Sequence, residues 1–61
     1  MDFRCFLIKG DWVERLSDGC QMKIKEVHAN EIVCNDYDPD DKLWHSLTLK
    51  EGEFCLALRT H

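Results

Sequence analysis

From Gln21 the chain alternates cleanly: Met22 and Ile24 on one side, Lys23 and Lys25 on the other. Apolar and charged residues at a period of two describe a strand with one face in a core and the other in water. This stretch is bounded by two breakers. Ser17-Asp18-Gly19 precedes it and His28-Ala29-Asn30 follows. Gly and Asn tolerate left-handed backbone, and Ser and Asp bond nearby amides. Gly10 to Cys34 therefore reads as three strands and two tight turns: Trp12 to Leu16, the strand from Gln21, and Glu31 to Asn35, where Ile32 and Cys34 share a face.

The rest extends the pattern. Asp36 to Asp41 is expected to be a loop, because Pro39 cannot donate to a ladder and the carboxylates repel one another. Lys42 to Leu49 reads as a fourth strand, with Leu43, His45, Leu47 and Leu49 opposed to Trp44, Ser46 and Thr48. Lys50 to Glu53 turns. Phe54, Leu56 and Leu58 then alternate with Cys55 and Ala57 as a closing strand, and Arg59-Thr60-His61 reads as a frayed end. Five or six short antiparallel strands with frequent turns predict an all-β fold, a small SH3-like barrel. Residues 1–61 make one domain. Residues 1–9, apolar on both sets of alternate positions, are expected to add a strand or to form an arm that packs on a partner.

Sixty-one residues bury about 60% of their unfolded surface, so stability is thin. A core of this size supplies roughly 3–5 kcal/mol, and disulfides, a metal or a partner chain are the usual supplements. The four cysteines form no close C-x-x-C pair of the kind that seeds a structural zinc site. No export leader is read at the start, so the cytosol and reduced thiols are expected. No segment reads as a membrane span. Cys34 and Cys55 are then buried hydrophobes and Cys20 lies beside a turn. A zinc site with His28 or His45, or two disulfides, are the lesser alternatives. Asp36, Asp38 and Asp40 have the spacing of the first calcium-loop ligands. Asp41 stands where that loop needs Gly and Leu47 where it needs Glu, so no metal and no cofactor is expected.

Gly10-Asp11-Trp12-Val13, Ser17-Asp18-Gly19, Met22-Lys23-Ile24 and Ile32-Val33-Cys34 together resemble the YodC-like family of small bacterial proteins. That pattern runs Gly-Asp-x-Val, a Ser-Gly-Gly turn, Met-Thr-Val and a later Val-x-Cys. The resemblance covers residues 10–38, with a looser fit to the end. Asp18 stands where the family has its first turn glycine. Asn35 and Asp36 stand where it carries aromatics beside Tyr37, a part Trp44 can take. The resemblance implies an SH3-like small barrel and no activity.

No nucleophile, base and orienter can be named together, so the chain is not expected to be an enzyme. His28 lies in a turn and His61 at the end, both solvated. His45 is a half-buried strand residue. The more informative residues are aromatic. SH3-like barrels bind peptides on aromatic-lined grooves. Trp12, Tyr37 and Trp44, if on the outer face, make a patch beside the acidic loop that suits a basic or proline-rich protein partner. The bland alternative is that one tryptophan caps the core. A rival reading places Lys9, Arg15, Lys23 and Lys25 on one face for nucleic acid, which a net charge of −4 disfavours. A small acidic inhibitor is a third reading. Open edges and the apolar start also suit a homodimer.

Overall fold

The protein, in a computed structural model, is described for residues 2–58, so the expectations for Arg59, Thr60 and His61 lie outside the described residues. A short 3-10 helix, Phe3–Cys5, precedes five strands: β1 Trp12–Arg15, β2 Gln21–Val27, β3 Glu31–Asp38, β4 Leu43–Lys50 and β5 Phe54–Leu58. All pairs are antiparallel, in one sheet of order β4-β3-β2-β1-β5. The expected all-β class is present. The sheet is barrel-like but open, since β4 and β5 stand at its two ends.

The alternation in β2 does its expected work. Met22 and Ile24 are buried, while Lys23 and Lys25 are exposed. A regular strand would then turn Glu26 inward. The register instead shifts between Ile24 and Glu26, so that Ile24 faces Cys34 and Val27 faces Ile32. An extra residue in one strand flips the facing of everything beyond it. Glu26 stays in water and Val27 packs against the core. A second shift, between Trp12 and Val13 in the β1–β5 pairing, bends the other end.

The turn after β1 follows its residues. Gly19 sits at φ +75, a conformation that favours a residue without a Cβ. The Asp18 carboxylate accepts from the Cys20 amide at 3.0 Å and from Arg15 Nε at 2.9 Å.

Residues 2–9 add no strand, contrary to the first of the two expectations for residues 1–9. Phe3 donates its backbone N–H to the Ala29 carbonyl at 2.9 Å, and the chain coils so that Phe3 and Leu7 enter the core. Phe3 meets the rings of Phe54 and Phe6 edge-on, with centroids 5.3 Å and 5.8 Å away. A strand needs a partner edge, whereas a coil needs only an apolar mouth to fill. The segment packs Phe3 and Leu7 against its own sheet. Asp11 locks it in place: its buried carboxylate accepts from the Ile8 N–H at 3.2 Å, and its carbonyl accepts from Ile24 N–H at 2.8 Å. A buried carboxylate is tolerated only when bonded in this way.

The core is Phe3, Leu7, Val13, Met22, Ile24, Ile32, Cys34 and Leu49. β4 contributes less than its sequence suggests. Leu49 is buried and Leu47 packs against the core, but Leu43 and Trp44 stand in water. β5 likewise turns Leu58 and Cys55 outward. The expectation that Cys55 is a buried hydrophobe is therefore corrected; Cys34 is buried and Cys55 exposed.

Candidate functional site: an aromatic groove on the outer sheet face

β3 does not stop at Asn35. It pairs with β4 in eight unbroken rungs, from Glu31 opposite Lys50 to Asp38 opposite Leu43. The stretch expected to be loop is strand through Asp38, because Pro39 falls in the turn, where its missing donor is not needed. The turn is stitched by its own acids: Asp38 Oδ1 accepts from the Asp40 amide and Asp41 Oδ1 from the Leu43 amide, both at 2.9 Å. Lys42 takes a left-handed φ of 59.

That ladder places Tyr37 directly opposite Trp44, on the same face, with ring centroids 5.2 Å apart. Val13 points inward, so Trp12 beside it points outward. Trp12 faces Lys23 across to β2, Lys23 faces Asn35 across to β3, and Tyr37 and Trp44 lie two residues beyond Asn35. Trp12, Tyr37 and Trp44 line one groove of about 250 Å³, with Lys23, Asn35 and Asp36 between them. The three aromatic residues singled out in the sequence are thus brought together. None of the three caps the core: they are 37%, 45% and 68% exposed.

The basic residues are not brought together. Arg15 is bonded to Asp18 and lies 4.0 Å from Asp36, which leaves its guanidinium committed. That pairing holds Asp18 at about 2 and raises Arg15. Lys23 belongs to the aromatic groove. Lys9 and Lys25 line a separate depression with Arg4 and His28. There Arg4 is paired with Asp2 and His28 lies 3.4 Å from Glu26. Among the described residues, Lys9, Arg15, Lys23 and Lys25 do not share one continuous strip of the kind a phosphate backbone favours.

His45 is exposed, not half-buried, and its Nε2 lies 2.8 Å from Asp41 Oδ2. The Asp41 hydrogen bond raises the His45 pKa, and the same bond lowers that of Asp41. Asp38, Asp41 and His45 could bring one ligand atom each within 4.8 Å of one another. His45 stands four positions after Asp41, and the turn between β3 and β4 brings Asp38 to the same place.

Cys34 is enclosed, and burial pushes its thiol up to about 11, with a smaller push from Asp36. Such a thiol is inert as a nucleophile. Cys5 and Cys55 are exposed and Cys20 is partly so; all four are free thiols. No helix among the described residues is long and apolar enough to cross a membrane. No family model, no curated protein and no solved structure matches this chain.

Proposed function

We propose that this domain is a small non-catalytic interaction module that holds a segment of a protein partner in the groove of Trp12, Tyr37 and Trp44. One observation carries the reading. A domain with little core to spare leaves its two tryptophans and its one tyrosine on the outer face, converging on one groove. Aromatic rings supply large contact area at low entropic cost and dominate interface energetics. The inert Cys34 thiol favours a non-catalytic role, and the scattered cations favour a protein over nucleic acid. The four free thiols suit a reducing, cytosolic setting. The resemblance to YodC-like proteins belongs to this reading and adds no activity to it. The open outer edges of β4 and β5 leave room for a second copy. Sedimentation at increasing concentration tests that separately.

The test of the groove uses Trp12→Ala and Trp44→Ala, both exposed positions that leave the core intact. Immobilised protein should retain a specific set of cytosolic partners, and both variants should lose it while keeping the native circular dichroism. Retention unchanged by both substitutions would sink the reading.

A further inference from the structure

The two sides of the sheet carry different charge. Ile32 and Cys34 are buried, so parity turns Asp36 and Asp38 inward with them and Asn35 and Tyr37 outward. The inward acids have cations of their own: Asp36 lies 4.0 Å from Arg15, and Asp41 lies 2.8 Å from His45. The acids expected to draw a basic partner therefore do not face the aromatic groove.

What faces it is a lysine. Met22 and Ile24 point inward, so Lys23 points out, opposite Trp12 on one flank and Asn35 on the other. Lys25, the next lysine on this side, donates to Ser46 Oγ at 3.3 Å. Among the described residues, the Lys23 ammonium and the Asn35 side-chain amide take part in no hydrogen bond or ion pair. Glu14, Glu26 and Glu31 share the outer side, but none of them lines the groove. An uncommitted cation set among three rings calls for an anion joined to an apolar group.

The rings keep between 37% and 68% of their surface in water. Small-molecule sites enclose most of their ligand, whereas an open furrow is covered by a length of chain. A nucleic acid brings a phosphate with every nucleotide, and a molecule of net charge −4 with one uncommitted lysine in the groove opposes it. A protein segment needs only one carboxylate at that point.

Resting on the groove reading above, we infer that the groove takes an acidic segment of a partner protein, with an Asp or Glu carboxylate on Lys23 and a neighbouring apolar side chain between Trp12 and the Tyr37–Trp44 pair. The rings supply contact area, Lys23 selects by charge, and the Asn35 amide bonds the segment's backbone. An exposed ammonium–carboxylate pair gives about a threefold preference in affinity at low salt, and salt screens it.

The probes are three synthetic decapeptides that share two leucines and differ only in the two residues between them: glutamates, glutamines or lysines. Binding to the full chain is followed by amide and indole chemical shifts. The glutamate peptide should bind tightest, by about threefold over glutamine, with lysine weakest. Lys23→Gln should erase the difference between glutamate and glutamine while the glutamine peptide still binds, and Lys23→Glu should make the lysine peptide the tightest. Equal binding of all three peptides at the groove overturns the inference and leaves the interaction reading standing. No shift at Trp12, Tyr37 or Trp44 with any peptide also overturns it, and partner retention by Trp12→Ala and Trp44→Ala then decides the groove reading by itself. Tighter binding of an oligouridylate than of any peptide at the same residues overturns the assignment to protein.

Discussion

The molecule holds two aromatic groups that a hydropathy plot would treat alike. Phe3, Phe6 and Phe54 gather at the mouth of the barrel, edge to face, with Phe3 at 3% exposure. Trp12, Tyr37 and Trp44 gather on the opposite side of the sheet, and Trp44 keeps two thirds of its surface in water. The first group closes a core that would otherwise be open where the sheet fails to close. The second adds nothing to that core. Strand parity separates them. Each residue of a strand faces away from its neighbour, so Trp12 is committed to the outside once Val13 is committed to the inside.

That contrast can be broken most forcefully at Phe3. Phe3→Ala should cost about 3–5 kcal/mol, comparable to the whole stability of so small a domain. Denaturant melts should show it largely unfolded. Trp44→Ala should stay within about 0.5 kcal/mol of the parent, as exposed substitutions do. The reverse ranking would show that the roles are exchanged.

Thiol reactivity sharpens the comparison without altering the fold. Under native conditions a chromogenic reagent should react quickly with Cys5 and Cys55 and more slowly with Cys20, while Cys34 should react only after unfolding. Fast labelling of Cys34 would mean that the core end is looser than its packing implies.

A smaller effect belongs to the hairpin tip. Lys42 holds a left-handed backbone that Asn adopts more readily, so Lys42→Asn should stabilise by up to about 1 kcal/mol. A loss of melting temperature would argue against that geometry.

The slightest effect is His45. Its pKa is raised by Asp41, so the contribution of the pair is full below the ordinary imidazole value of 6.5 and fades as pH climbs through the raised one. The Asp41 pKa is lowered, so its share is present above 3.8 and lost as pH falls through the lowered value. Imidazole proton shifts should report a midpoint above 6.5 that Asp41→Asn moves back toward it.

Much of the fold was legible because alternation and turn chemistry are local. Met22 and Ile24 against Lys23 and Lys25, with Gly19 at the turn, needed no distant partner to be read. The residues of the outer patch could be named from their type, but their facing stayed open between an outer patch and a tryptophan capping the core, because Tyr37 read as loop and had no partner strand. What escaped depended on distance in sequence. Phe3 finds Phe54 fifty-one positions away (54 − 3), and a local pattern cannot tell a plug from a strand. The Lys25 bulge needs knowledge of what Ile32 and Cys34 face. Asp36-Tyr37-Asp38 looks like a loop by composition, yet β4 supplies it with an edge to pair against. Leu43 and Leu58 read as core, but the sheet's ends leave nothing to cover them.

The eight-rung hairpin has a further consequence. Its lower rungs rest on Ile32, Cys34 and Leu49, whereas its upper rungs, Asp36 to Asp38 against Leu43 to His45, bury no side chain and reach β1 through the Arg15–Asp36 pair. Amides there can exchange with solvent through local fraying, at a fraction of the free energy that opens the barrel. A segment laid from Trp12 to Trp44 would clamp that frayed arm to the rigid body, so occupancy would be written as slowed deuterium uptake in a strip that contains no buried side chain.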